Sequence, residues 1–121
     1  DSRNLCPTGW RIPTHDEWLT LNTYLGNGLI AGSKIKETGT INWSPPNSDA
    51  TNETGFTALP GGSRSGINGT FSNIKNAGYW LSATAIDALN SYGACVVYNF
   101  GYIATVKGIK QNGFSVRCLK N

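Results

Sequence analysis

The 121-residue sequence has little charge, a single histidine and no methionine, and it contains no long hydrophobic run. Charged residues make up 14% of the chain, against about 25% in an average soluble domain. Helical bundles and coiled coils need Ala, Leu, Glu and Lys in bulk, so this composition argues against both. Because a membrane-spanning helix requires ~20 apolar residues, we also expect no direct membrane insertion.

The positive charges are scattered along the chain. Ten Lys and Arg residues give a net charge of only +3. Nucleic-acid binding uses clustered cations that replace counterions, but the closest pairs here are Lys34 with Lys36 and Lys107 with Lys110. These pairs are too sparse to form a basic stripe, so the charge distribution predicts no nucleic-acid partner.

Gly, Asn, Ser and Thr are abundant and together occupy 50 of the 121 positions. Such turn-forming, uncharged residues favour short strands that are joined by long ordered loops. The length is that of a single domain with one core. We therefore expect one domain over residues 1–121.

A helix start is predicted near the N-terminus. Thr14 can cap the first backbone amides, and Glu17, three residues later, can reach back to complete a capping box. Apolar residues then follow at helical spacing until Gly26 ends the pattern. A second, shorter helical turn is predicted over residues 31–37.

The rest of the chain divides into a loop-rich part and a strand-rich part. Residues 38–72 are full of Gly, Pro and Asn, but hydrophobic side chains interrupt them, which predicts an ordered loop held by buried anchors. These anchors are Trp43, Phe56, Leu59 and Phe71. Strand-like segments follow at residues 78–82, 91–98, 102–106 and 113–119. One main N-terminal helix, long loops and a C-terminal antiparallel sheet predict an α+β domain.

The three cysteines match no zinc-site spacing. Cys6 and Cys118 lie near the two termini, which many domains bring together, so a disulfide between them is favoured over two separately buried thiols. A disulfide indicates an oxidising, exported location. Cys95 has apolar neighbours and no nearby His or Arg, so we interpret it as an incidental cysteine rather than a nucleophile.

Six segments form a pattern that spans nearly the whole chain. They are Cys6–Thr14, Glu17–Leu21, Lys34–Lys36, Ala50–Gly62, Gly78–Trp80 and Gly113–Cys118. In this order they resemble the Fibrobacter succinogenes major paralogous domain. The resemblance implies a secreted or surface-anchored bacterial domain with a C-type lectin-like fold, as used in formylglycine-generating enzyme.

The C-terminal part is also similar to the variable proteins of diversity-generating retroelements. In those systems randomised template adenines restrict which residues occur at the variable positions. Residues 81–109 contain no Glu, Gln, Met or Trp and only one lysine, Lys107. The similarity implies a scaffold at residues 5–82 and 110–119 and a variable ligand-binding surface at residues 83–109. Strands are naturally poor in Glu and Lys, which is an alternative explanation of the same pattern.

The segment 83–109 mixes aromatic rings with small polar residues, as binding surfaces do, because rings give contact area at low entropic cost. The candidate ligand-binding residues are Ala83, Ala85, Ile86, Asp87, Ser91, Tyr92, Tyr98, Asn99, Phe100, Tyr102, Ile103 and Thr105. The alternative is an ordinary antiparallel sheet in which these side chains simply pack.

The remaining chemical groups predict no catalytic residue, no metal and no cofactor. His15 lies at a helix N-terminus, which favours an exposed surface position over a place in a catalytic triad. Asp49, Asn52 and Glu53 could offer oxygen ligands to calcium. The sugar-binding calcium motifs of animal C-type lectins are missing, so capping or solvated loop positions are the favoured interpretation.

The sequence as a whole predicts a non-enzymatic, exported or cell-surface domain that binds a ligand. Its partner would be a protein or glycan on another cell or in the environment, and the domain would display the diversified residues of a retroelement system. One alternative is an oxidoreductase like formylglycine-generating enzyme, which would need two nearby reactive cysteines. Another is a structural or adhesin module of a larger surface protein.

Overall fold

A computed structural model describes residues 4–121 of the chain. The elements in chain order are β1 (Trp10–Arg11), α1 (His15–Tyr24), α2 (Ala31–Ile35), β2 (Ser63–Arg64), β3 (Phe71–Ser72), β4 (Ala77–Ala85), β5 (Asn90–Val97), β6 (Ala104–Ile109) and β7 (Leu119–Lys120). Among these residues the strands form three small antiparallel sheets: β1 with β7, β2 with β3, and β4–β5–β6.

This strand content makes the predicted fold class wrong. The sequence predicted a C-type lectin-like α+β domain led by its N-terminal helix, whereas α1 and α2 have only ten and five residues. Left-handed backbone at Asn27 and Gly28 turns the chain soon after α1 and limits the helix. Two of the three sheets consist of two-residue strands, which show no alternation in the sequence. Within residues 4–121 neither helix is long and apolar enough to cross a bilayer.

The helix α1 begins where the sequence predicted. The Glu17 backbone N–H donates to Thr14 Oγ1 at 3.2 Å, and the Thr14 N–H donates to the Glu17 carboxylate at 2.8 Å. Arg11 Nη1 donates to the same carboxylate at 2.6 Å. These hydrogen bonds, first from Arg11 and then from Thr14, lower the pKa of Glu17 to about 2.

Replacing Thr14 by alanine tests this helix cap. We expect Thr14→Ala to lower the free energy of unfolding by about 1 kcal/mol, because an N-terminal amide of α1 loses its acceptor. Thr20→Ala is the matched control, since the Thr20 hydroxyl donates to Asp16 O within α1 and caps nothing. Urea unfolding measures both variants, and equal losses would contradict a capping role.

The three-stranded sheet has β5 at its centre. β4 pairs with β5 from Ala77↔Val97 to Ala85↔Ser91, with a shift after Leu81. β5 pairs with β6 from Asn90↔Ile109 to Cys95↔Ala104. The β4–β5 hairpin therefore lies at one end of the sheet and the β5–β6 loop at the other, about 20 Å apart at ~3.3 Å per residue.

The core lies between α1, the loop region and one face of this sheet. The rings of Trp18 and Trp80 have centroids 6.3 Å apart, and Phe56 packs against both. Trp43 is fully buried, and its Nε1 donates to Ala58 O at 3.0 Å. Two of the predicted loop anchors, Trp43 and Phe56, are thus confirmed.

The other two predicted anchors, Leu59 and Phe71, are wrong. Leu59 is 48% exposed and Phe71 is 66% exposed. Phe71 belongs to the short β2–β3 ribbon, where the guanidinium of Arg64 lies 5.8 Å from its ring centroid. Hydrophobicity alone therefore did not separate loop anchors from exposed rings.

The predicted disulfide near the two ends of the described chain is confirmed. Cys6 and Cys118 form a disulfide that joins residues 112 positions apart. β1 and β7 pair beside it, with Trp10 opposite Lys120.

The strand that was predicted over residues 113–119 is wrong. Of this segment only Leu119 lies in a strand, β7, which spans Leu119–Lys120. Before β7 the segment meets the rest of the fold through isolated bridges, where Gly113 lies opposite Arg64 and Ser115 beside Trp80. The backbone of Ser115 bonds to Tyr79 O and receives the Leu81 N–H. The segment therefore meets each of these neighbours through a single bridge and forms no continuous ladder with either.

Candidate ligand-binding surface

The structure separates the candidate residues into two groups at opposite ends of the three-stranded sheet. The hairpin end carries Ala83, Ala85, Ile86, Asp87, Ser91 and Tyr92. The loop end carries Tyr98, Asn99, Phe100, Tyr102 and Ile103, and Thr105 lies on the edge strand β6. The twelve residues therefore do not form one continuous surface.

At the hairpin end, Asp87 shapes the turn. Its Oδ1 accepts the backbone N–H groups of Leu89 and Asn90, both at 2.8 Å, and the Asn90 side-chain amide bonds to both oxygens. Hydrogen bonds from Asn90 lower the pKa of Asp87. This carboxylate therefore holds the backbone, while the neighbouring Leu89, absent from the sequence-based candidates, is 72% exposed.

Tyr92 packs against the start of α1. Its ring stacks on His15 with centroids 4.2 Å apart, and Lys107 Nζ lies 5.8 Å from the Tyr92 ring centroid. The His15 backbone N–H donates to Thr84 Oγ1 at 2.9 Å. His15 was predicted to be exposed, but this stacking leaves it half-buried. The hairpin end therefore packs against the start of α1 and is not a free-standing hairpin.

At the loop end, a buried lysine holds the backbone from below. Lys36 is fully buried, and its Nζ donates to the carbonyls of Ser48, Val97 and Phe100 at 2.9, 3.1 and 3.0 Å. Burial lowers the pKa of Lys36 to about 8, and the charge of Asp49 partly opposes that shift. One side chain therefore ties the loop region to both ends of the turn after β5.

Two glycines let the same turn lie directly on α2. Gly101 O accepts the backbone N–H groups of Gly32 at 2.7 Å and Ser33 at 3.1 Å. A Cβ on Gly101 would lie 2.0 Å from Leu29 O, and a Cβ on Gly32 would lie 2.3 Å from Tyr102 O. Any larger residue at either glycine would force the two segments apart.

The side chains of this turn divide between core and solvent. Tyr98 and Ile103 pack against the hydrophobic core. Asn99 is exposed, Phe100 is 47% exposed, and the rings of Phe100 and the half-buried Tyr102 have centroids 5.3 Å apart. The turn before α2, whose backbone lies against Gly101, adds the exposed side chains of Leu29 and Ile30. We define the loop-end surface as Leu29, Ile30, Asn99, Phe100 and Tyr102.

Sequence reasoning missed Lys36, Gly32 and Gly101 as the residues that position this surface. Lys36 lies within a family-like segment, which was the one available signal. The three carbonyls that accept from this lysine lie far from it in sequence, so no local sequence pattern indicates them. The same is true of the contact between the two glycines.

The residues that could carry other chemistry have structural partners. Cys95 is buried, and burial raises the pKa of its thiol to about 11. Asn52 Oδ1 accepts the Thr57 N–H at 2.8 Å, and Glu53 pairs with Lys34 at 3.3 Å. Two of the three residues that were considered for calcium therefore have other partners, Asn52 within its own loop and Glu53 on α2.

These features define a small, disulfide-closed domain of short strands and long ordered loops. A comparison with protein-family models matches residues 1–120 to the Fibrobacter succinogenes major domain (Fib_succ_major), and the chain belongs to this family. The family prediction made from the six segments is thus confirmed. Comparison with curated proteins found no match, and neither did comparison with solved structures.

Proposed function

We propose that this chain is a non-enzymatic, exported or cell-surface domain that binds a protein or glycan partner through its loop-end surface. The observation that supports this function is the backbone anchoring of the β5–β6 turn. Carbonyl oxygens of the turn and of the end of β5 accept hydrogen bonds from the Lys36 side chain and from the backbone of Gly32 and Ser33. Because the acceptors are backbone atoms, these hydrogen bonds do not depend on which side chains the accepting residues carry. The exposed side chains of Asn99 and Phe100 are therefore free to serve binding rather than folding.

The same anchoring is consistent with diversified display in a retroelement system, which is the finer part of this proposal. Exposed positions such as Asn99 and Thr105 can change without loss of core packing, and a change at the 47% exposed Phe100 affects its contact with Tyr102 rather than the core. Gly93 and Gly101 cannot change, because a Cβ at either would press on backbone oxygens. A reverse transcriptase gene and an adenine-mismatched template repeat beside the encoding gene would support diversification, and invariance of these exposed codons among close relatives would contradict it.

Two further observations support the non-enzymatic and exported parts of the proposal. A formylglycine-generating type of oxidation would need paired reactive thiols, whereas Cys6 and Cys118 are joined and Cys95 is buried with a raised pKa. The disulfide is compatible with an oxidising compartment.

The binding proposal is tested by truncating the aromatic pair. We expect Phe100→Ala with Tyr102→Ala to weaken binding to glycan arrays or to intact cells by about tenfold or more, because aromatic anchors carry much of the binding energy of an interface. The matched control is Ile41→Ala, which truncates a side chain that is 89% exposed in the 38–72 loop. Thermal unfolding checks that both variants keep their fold.

Equal loss in the control variant would contradict a specific loop-end surface. So would full binding by the double variant. A double variant that unfolds at a much lower temperature would show that the rings support the fold, and would equally contradict the proposal.

A further inference from the structure

A pocket with polar lining residues lies at the hairpin end of the three-stranded sheet. It has a volume of about 360 Å³ and opens between the β2–β3 ribbon and the end of β6. Its principal lining residues are Ser63, Arg64, Ile67, Ser72, Ile109 and Asn112. Because Ile109 pairs with Asn90, this pocket is separated from the loop-end surface by the length of the sheet.

The cation of this pocket is the exposed side chain of Arg64, which lies over an aromatic ring and is not neutralised. The Arg64 guanidinium lies over the Phe71 ring at 5.8 Å, and a Cβ on Gly69 would come within 2.9 Å of Arg64 Nη2. Among residues 4–121 the side-chain ion pairs are Arg11–Glu17 and Lys34–Glu53, so no described carboxylate pairs with Arg64. An oriented guanidinium that lacks a counterion is suited to a carboxylate ligand, which it binds with two parallel hydrogen bonds.

Uncharged polar groups surround this cation. Ser63 Oγ and Ser72 Oγ lie 3.4 Å apart across the ribbon. Asn112 Oδ1 accepts the Gly66 N–H at 3.0 Å, which fixes the side-chain amide and leaves its NH2 group without an acceptor among the described residues. These hydroxyl and amide groups can exchange hydrogen bonds with the hydroxyl groups of a ligand.

We propose that this pocket binds an acidic sugar residue of the hexuronate class. The carboxylate pairs with Arg64, the ring hydroxyls bond to the serines and to Asn112, and the C–H face of the ring lies against Ile67 or Ile109. The volume falls at the lower end of the ~300–1,000 Å³ range of small-ligand sites, which suits a single sugar ring. This site is independent of the loop-end surface, and its ligand is defined by a carboxylate group.

The test is an amide NMR titration of the disulfide-bonded chain with sodium glucuronate, glucose and sodium sulfate. We expect glucuronate to shift the amides of Ser63, Arg64 and Asn112 in a saturable way, with glucose and sulfate each weaker by about tenfold or more. Arg64→Met keeps an unbranched chain against Phe71 and removes the charge, and we expect it to weaken glucuronate binding by a similar factor. Arg117→Met is the matched control, because Arg117 lies over Phe56 at 4.2 Å in a different pocket.

Each other outcome overturns the proposal. Absence of saturable shifts with glucuronate rules out the site. Equal shifts with sulfate indicate a bare oxyanion site and contradict the sugar assignment, whereas equal shifts with glucose contradict the role of Arg64. Equal weakening by Arg117→Met indicates nonspecific attraction to positive charge. None of these results bears on the Phe100 and Tyr102 experiment, so the two proposals fail separately.

Discussion

Replacing Cys6 and Cys118 together by serine is expected to lower the free energy of unfolding by about 4–5 kcal/mol. The disulfide joins residues 112 positions apart, so it removes a large loop-closure entropy from the unfolded chain. β1 and β7, which pair beside the disulfide, are two residues each and can compensate for little of its loss. Urea unfolding under oxidising conditions measures the loss.

The remaining cysteine supplies the control for this experiment. Cys95→Ala leaves the disulfide intact and removes one small buried sulfur, so we expect a loss of about 1 kcal/mol. Thiol counting by intact mass should find one free cysteine in the unmodified protein. Three free cysteines, or equal losses in the two variants, would contradict the disulfide as a main source of stability.

Replacing Lys36 by methionine is expected to lower the free energy of unfolding by about 3–5 kcal/mol. The methionine fills a similar volume but leaves the carbonyls of Ser48, Val97 and Phe100 without their donor. Lys34→Met is the matched control, because Lys34 is half-buried and pairs with Glu53 near the surface. We expect the control to cost under about 1 kcal/mol.

The same lysine has a pH signature that a purely steric defect would not produce. The pKa of Lys36 is lowered to about 8 from 10.5, so between these values the unfolded chain binds more protons than the folded one. The unfolding free energy contributed by Lys36 therefore rises as the pH increases from about 8 to about 10.5. Cys95 and Tyr79 have raised pKa values and act in the opposite sense. The difference between the unmodified protein and Lys36→Met should thus rise over this window, and a constant difference would contradict the assignment.

Local signals predicted several parts of this fold correctly. The capping box of Thr14 and Glu17 is encoded within four residues, so α1 could be placed to within one residue. Strand-like segments separated by turn residues likewise predicted the three longer strands, although the third was expected at residues 102–106 and β6 spans Ala104–Ile109. Cys6 and Cys118 could be paired because the termini of a domain commonly lie together. Each of these inferences depends on neighbouring residues or on a general property of single domains.

The fold class could not be predicted, because it depends on contacts that leave no pattern in the sequence. Two-residue strands such as β1 and β7 have no periodicity to detect. The segment before β7 alternates like a strand, but Ser115 meets β4 only through one bridge, and Val116 is 39% exposed. The similarity to lectin-like domains therefore led to an expectation that the observed arrangement of sheets does not meet.

The candidate residues differ in exposure. Residue type drew attention to Phe100 and Tyr102, which are partly exposed, but the same criterion included Tyr98 and Ile103, which pack against the core. Aromatic side chains are equally common in cores and in binding surfaces, so composition alone cannot separate them. Arg64 lay outside the candidate residues, since a lone arginine in a glycine-rich loop resembles any solvated cation until its neighbours are known.

The buried lysine and the two glycines also set limits on how the β5–β6 turn can be redesigned. Lys36 donates to the carbonyls of Val97 and Phe100, and Gly101 O accepts the Gly32 N–H. The number of residues between these positions is therefore fixed. Libraries that vary the exposed side chains should yield folded proteins at high frequency. Inserting or deleting a single residue between Val97 and Gly101 would move one carbonyl out of register, so this turn accommodates changes of chemistry but not changes of length.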